Sequence, residues 1–149
     1  MGGASSDAAA ALRGLKALYH LDVDLGPVAA EIGTDVPYFL HGGRMRAEGR
    51  GERLTALTMQ PAMYVIAWPE IELSTAEVYN AWDEVGGDGP NDLRRAAEHS
   101  DARVKDFAAK LGDGWHMTGS GSAFFREEAG NPPTIKGWST VAHAVGPWS

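Results

Sequence analysis

The sequence predicts an α+β chain in two parts, on three observations. Apolar residues at Ala8, Ala11, Leu12, Leu15, Leu18 and Tyr19 keep helical spacing near the start. Met63 to Trp68 reads Met-Tyr-Val-Ile-Ala-Trp, apolar throughout, as a strand covered on both faces must be. After it come helical patterns, two short strand patterns and a closing strand pattern, so strands and helices belong to one layered unit. The 149 residues, 44% of them hydrophobic, suffice for one ordinary domain or two small ones. The change of pattern places a boundary at Gln60-Pro61, giving residues 1–59 and 60–149.

Taken in order, the apolar stripe predicts a helix from about Ser5 to His20 with one buried face. Leu21 to Leu25 reads as a turn, and Pro27 starts a second helix that Gly33 stops. Gly33-Thr34-Asp35-Val36-Pro37-Tyr38-Phe39-Leu40 sets one acidic residue in an otherwise apolar segment. Arg44 to Glu48 and Glu52 to Leu57 flank Gly49-Arg50-Gly51 as a β-hairpin, with Glu48 and Glu52 in solvent. This first part offers little sheet to cover the face of its long helix.

Pro69 ends the Met63 strand. Ser74 then caps a helix through Ala76, Val78, Tyr79 and Trp82, with Glu77 at capping-box spacing. Residues 86–90 form a loop, Asn91-Asp92-Leu93 opens helical sequence through Ala97, and Val104 to Leu111 is amphipathic up to Gly112. Trp115 to Thr118 and Ala123 to Arg126 are strands around Gly119-Ser120-Gly121-Ser122, and Ser139 to Ala144 closes the chain. The prolines between Gly130 and Gly137 interrupt any long helix.

Thirteen Lys plus Arg against twenty Asp plus Glu give a net charge of −7, which excludes a broad basic footprint for nucleic acid or anionic lipid. No membrane partner is expected, since no apolar run reaches the length of a span. The absence of cysteine removes disulfide and thiolate chemistry and fits a cytoplasmic location. His20, His41, His99, His116 and His143 lack metal-ligand spacing, and His41 beside Gly42-Gly43 reads as a turn residue.

Chemistry concentrates in three stretches. Met1-Gly2-Gly3-Ala4-Ser5-Ser6-Asp7 runs into a four-alanine helix start, a junction whose free N–H groups and dipole suit an anion. Ordinary capping, with Ser5 or Ser6 as N-cap, explains the same residues. The loop is neither a Walker A nor a dinucleotide GxGxxG sequence. With Asp35 and with Gly119 to Ser122 it supplies what phosphoryl transfer needs: backbone donors, a hydroxyl for Mg²⁺ and a carboxylate for an acceptor hydroxyl.

The order of Met-Gly-Gly-Ala-Ser-Ser-Asp, Gly33-Thr-Asp-Val-Pro-Tyr-Phe-Leu, Gly49-Arg-Gly-Glu52, Pro69 with Ser74-Thr75, Asn91-Asp-Leu93 and Met117-Thr-Gly-Ser-Gly-Ser-Ala-Phe124 resembles one family of the GHMP kinase superfamily. That family is the 4-diphosphocytidyl-2-C-methyl-D-erythritol kinases, and the resemblance covers nearly the whole chain. It implies a GHMP kinase fold, with part of the N-terminal, ATP-binding domain in 1–59 and a ferredoxin-like C-terminal domain in 60–149. It implies phosphorylation by ATP, with Mg²⁺, of the 2-hydroxyl of a small-molecule CDP-alcohol in non-mevalonate isoprenoid synthesis. Gly2, Gly3, Ala4, Ser5 and Ser6 match the phosphate loop, with Ser5 or Ser6 as a Mg²⁺ contact. Asp35 matches the catalytic aspartate, while Thr75, Tyr79, Gly119, Ser120, Gly121 and Ser122 match substrate contacts. Tyr79 would stack on the cytosine, although its spacing with Ala76 and Trp82 equally suits core packing.

The departures carry expectations too. Family members hold about a third of their length, the size of a partial domain, ahead of the phosphate loop. That part includes strands and a lysine paired with the catalytic aspartate, so this chain is expected to be a fragment with weak or no turnover. The Glu127 to Gly137 segment is shorter than the family's helix there. The alternatives are a non-catalytic binding or interaction domain, self-associating through an exposed apolar surface, and another GHMP small-molecule kinase.

Overall fold

The structure, a computed structural model, describes residues 2–127 and 130–147. Met1 of the opening loop and residues 128 and 129 of the 127–137 connection lie outside the described residues. The chain is α+β and divides into two compact units, residues 2–61 with 144–147 and residues Ala62–His143.

In the first unit, α1 (Gly3–Leu18), α2 (Leu25–Ile32) and α3 (Val36–His41) precede the hairpin β1 (Met45–Glu48) and β2 (Arg53–Ala56). Helix α1 begins two residues earlier than the sequence predicts, so Gly2, in the left-handed region at φ 66, holds the N-cap position instead of Ser5 or Ser6. Helix α2 begins at Leu25 because the Asp24 carboxylate accepts from the Gly26 N–H at 2.9 Å; Pro27 then falls in the first turn, where no ladder donor is lost. Helix α3 has no counterpart in the sequence reading. Its last residue is His41, which therefore closes a helix and is not a free turn residue.

Ala9, Ala29 and Val36 form the small core of this unit, with Leu12, Phe39 and Leu40 packed around it. The long apolar face expected on α1 is only partly buried: Leu15 and Leu18 are 49% and 68% exposed, and Ile32 of α2 is 54% exposed. A two-stranded hairpin is the only sheet among the described residues of this unit, too little to cover such a face.

The hairpin pairs Met45 with Ala56 through Glu48 with Arg53. At its tip the Glu52 carboxylate folds back and accepts from the Arg50 N–H at 2.6 Å. A Cβ on Gly49 would collide with that carboxylate, and one on Gly51 would collide with the Thr34 carbonyl oxygen, so the tip seats directly on the turn before α3. Backbone N–H groups of Glu52 and Arg50, then the charges of Arg53 and Arg50, hold the exposed Glu52 carboxyl below the usual carboxylate range.

The second unit runs β3 (Met63–Trp68), α4 (Thr75–Val85), α5 (Arg94–Ser100), α6 (Ala102–Leu111), β4 (His116–Met117), β5 (Phe124–Glu127) and β6 (Trp138–His143). Its antiparallel sheet has the order β4-β5-β3-β6, which is the ferredoxin-like order. Helices α4 to α6 make the first crossover, while the described residues 130–137 of the second contain no helix. Val65 and Ala67 of the central strand face the helices and meet Val78, Val104, Phe107 and Phe124 in the core. Phe124 is fully buried, its ring 5.8 Å from that of Phe107. Among the described residues no helix is long and apolar enough to cross a membrane.

Two measurements check this packing. In urea unfolding, Phe124→Ala costs about 3–5 kcal/mol, whereas Tyr79→Ala, at a 53% exposed position, stays within about 0.5 kcal/mol. Since the Glu52 pKa is depressed, its contribution is present above the ordinary glutamate value and lost as pH falls through the lowered one. The Arg50 amide resonance should therefore titrate with a midpoint below the ordinary glutamate value, and Glu52→Gln should abolish that titration.

Candidate active site

Gly2 and Gly3 play different parts at the start of α1. A Cβ on Gly2 would stand 2.8 Å from two ring carbons of Phe39, so Gly2 is where α3 crosses α1. Gly3 has open space where a Cβ would go. The helix ladder begins with the Ser6 N–H on the Gly2 carbonyl at 2.9 Å, leaving the N–H groups of Gly3, Ala4 and Ser5 ahead of the first ladder bond. Ser6 Oγ donates to the Gly3 carbonyl at 2.8 Å and keeps its lone pairs. The stretch is a helix N-terminus with exposed backbone, and Asp7 lies beyond its first turn.

Asp35 stands at the N-cap position of α3, exposed, with φ −92 and no side-chain bond to the helix amides. Its apolar neighbours explain the contrast seen in the sequence: Val36 and Pro37 are buried in the core of the unit while the carboxylate remains in solvent. The Phe39 contact with Gly2 and the Gly51 contact with Thr34 bring the Gly2-Gly3 start, the Asp35 turn and the hairpin tip into one neighbourhood of the first unit.

The second unit gathers the other candidates. Ser74 caps α4 by accepting from the Glu77 N–H at 3.3 Å, and this positions Thr75 as its first residue. Thr75 Oγ1 lies 3.0 Å from Ser120 Oγ, joining the helix start to the Gly119 to Ser122 loop. Ser122 differs from its neighbours. It is 3% exposed, and its hydroxyl accepts from Trp68 Nε1 at 3.1 Å and donates to the Ile71 carbonyl at 2.5 Å, so both of its functions are spent inside the fold. Gly121 sits tightly, since a Cβ there would be 3.0 Å from Leu73. Tyr79 projects outward while Val78 and Ala81 of the same helix are buried, which takes it out of the core. Sequence reasoning assigned no site role to Asn91, yet its Nδ2 donates to the carbonyls of Met117 and Gly119. Among the described residues no group of three or more His, Cys, Asp or Glu could hold a metal ion.

No protein-family model matches the chain. It is 44% identical over 118 residues to the 4-diphosphocytidyl-2-C-methyl-D-erythritol kinase of Bacillus pumilus, a match covering 76% of this chain and 40% of that protein. The enzyme of the same name from Thermus thermophilus is 36% identical over 148 residues, covering 84% and 54%. That from Polaromonas naphthalenivorans is 34% identical over 152 residues, covering 85% and 51%. A solved structure of 4-(cytidine 5'-diphospho)-2C-methyl-D-erythritol kinase superposes with a TM-score of 0.77 at 31% identity, covering 97% of this chain and 66% of that one. The chain thus spans about two fifths to a half of the length of these curated relatives. On sequence and fold together, the chain belongs to the 4-diphosphocytidyl-2-C-methyl-D-erythritol kinase family.

Proposed function

We propose that the chain carries part of an ATP-dependent kinase site that phosphorylates the 2-hydroxyl of 4-CDP-2-C-methyl-D-erythritol, a step of non-mevalonate isoprenoid synthesis. The observation that carries this reading is Gly3. It sits at an exposed helix N-terminus beside free N–H groups, and no packing partner requires its missing side chain. Phosphate oxygens can reach the main chain there and meet the positive end of the dipole. Gly2 shapes the approach, and Ala4, Ser5 and Ser6 complete the turn. The Ser5 or Ser6 hydroxyl contributes one ligand to Mg²⁺, which fits a donor set of one hydroxyl plus nucleotide phosphates. When bound, Mg²⁺ supplies neutralisation of phosphate charge.

Asp35 takes the acceptor's proton or orients its hydroxyl, and an exposed carboxylate with no bond to the α3 amides has its lone pairs available for that. In the second unit, Thr75, Ser120 and the Gly119 and Gly121 main chain contact the CDP-alcohol, Ser122 anchors their loop, and the outward Tyr79 ring stacks on the cytosine. The working compartment proposed is the cytoplasm. Phosphoryl transfer depends on positioning. Because these residues span 40–54% of the length of the curated relatives compared, the turnover proposed for them alone is weak or absent.

One observation favours a second reading, a non-catalytic interaction module: the exposed apolar residues Leu15, Leu18, Val28 and Ile32 on α1 and α2. That reading predicts concentration-dependent self-association in light scattering and indifference to Asp35→Asn.

Gly3→Ala separates ligand binding from folding. The fold accepts it, with a stability change of less than about 1 kcal/mol in either direction, but MgATP binding measured by amide shifts at residues 3–6 weakens about tenfold or more. Unchanged MgATP affinity in that variant would remove the phosphate role. In a coupled assay with MgATP and the CDP-alcohol, any turnover of the chain falls on the order of a hundredfold or more in Asp35→Asn. A variant as active as the unsubstituted chain would sink the catalytic assignment, and a panel of acceptor alcohols distinguishes other GHMP kinases.

A further inference from the structure

The Asn91 carboxamide is used at both ends. Its Oδ1 accepts from the Leu93 N–H at 3.0 Å, an Asx-type turn that opens the segment leading to α5. Its Nδ2 donates at 2.8 Å to the Met117 carbonyl and at 2.9 Å to the Gly119 carbonyl, 26 and 28 residues away. Only one orientation of the amide works, because the flipped group would face two carbonyl oxygens with an oxygen and an N–H with an amine. The side chain is half-buried, its bond to Met117 partly buried and its bond to Gly119 at the surface.

Those two carbonyls bracket the point where the chain leaves β4 and enters the loop. Met117 is 2% exposed and paired with Phe124 in the sheet, so one anchor is rigid. Gly119, at φ +49, is the first residue of the loop proper, and the next residue, Ser120, carries the hydroxyl that meets Thr75 at the start of α4. The Asn91 side chain thus ties a rigid strand end to the residue that precedes Ser120, at the end of the loop opposite the Ser122 anchor.

We propose that Asn91 is a positioning residue for the 119–121 loop, holding it in its ligand-contacting geometry through the Met117 and Gly119 carbonyls. Its effect on ligand rests on the reading of that loop as part of the CDP-alcohol site. The two ends of the carboxamide make the role separable: Asn91→Asp keeps an oxygen for the Leu93 N–H, so the turn before α5 survives, but removes both donors to the loop.

Native-state hydrogen exchange and cytidine diphosphate titration on the full chain test it together. In Asn91→Asp, the amides of Thr118 and Gly121, bonded in the native loop to Ala123 and Thr118, exchange faster by on the order of tenfold or more, while those of β3 and α5 keep their rates. Cytidine diphosphate affinity falls in the same variant. Unchanged exchange at Thr118 and Gly121, acceleration spread evenly over β3 and α6, or faster loop exchange with undiminished affinity would each overturn the positioning role. Local acceleration in a chain that binds no cytidine diphosphate even when unsubstituted upholds the clamp and counts against the substrate reading of the loop.

Discussion

A buried hydroxyl has to be satisfied on both sides or it costs about 1–3 kcal/mol, and the second unit is arranged around one that is. Ser122 Oγ accepts from the last residue of β3, Trp68, and donates to Ile71 on the segment that leads into α4. The glycine-serine loop is thereby fastened to the end of the central strand and to the entry of the first helix at the same point. Thr75 and Ser120 meet because of that fastening, since each lies only a short step of chain from one of its ends. Asn91 then holds the loop from the β4 side. A loop pinned at both ends by side chains can present its main chain to a ligand without losing its conformation, which is the preorganisation that positioning catalysis requires.

The first unit relies on a close approach instead of a buried polar link. Phe39 can lie on the start of α1 only because Gly2 has no side chain, and Val36 then seats the rest of α3 against Ala9 and Ala29. The outcome is a small apolar centre from which Asp35 is excluded. Burying its carboxylate with no partner would cost several kcal/mol, so the same packing that draws in its apolar neighbours keeps the acid in water. The hairpin tip, seated on Thr34 through Gly51, stops that turn from drifting.

Legibility in the sequence followed the range of the forces involved. β3 reads correctly to the residue because an apolar run ended by proline is a local signal, and the start of α4 reads correctly because its Ser74 cap is. Helix α3 escaped because six residues carry less than two turns of periodicity, and its driving force is burial of Val36 and Pro37 against helices elsewhere in the chain. Ser5 and Ser6 looked like caps by residue preference, and lost that place to a glycine whose position is set by Phe39. The α1 stripe had the right period, but periodicity says which face is apolar and not how much of it is covered. Within the candidate site, residue types were visible and partners were not. Asn91 lies 26 residues or more from both carbonyls it holds, and no local pattern encodes that pairing.

Glycine-rich motifs invite a single explanation, and the packing around each glycine supports several. Gly2 is accounted for by Phe39, Gly49 by the Glu52 carboxylate, and Gly51 by the Thr34 carbonyl; in each case a Cβ meets an atom of the fold itself. None of these three positions needs a ligand to explain it. Gly3 has no such neighbour, and at a helix start an alanine would be favoured over it on conformational entropy. Gly14 of the same helix is equally open, so open space alone assigns no ligand; what sets Gly3 apart is its place among the N–H groups ahead of the first ladder bond. For this reason the weight of the phosphate reading falls on Gly3 and the three N–H groups around it, while the rest of the motif is explained first by how the unit is packed.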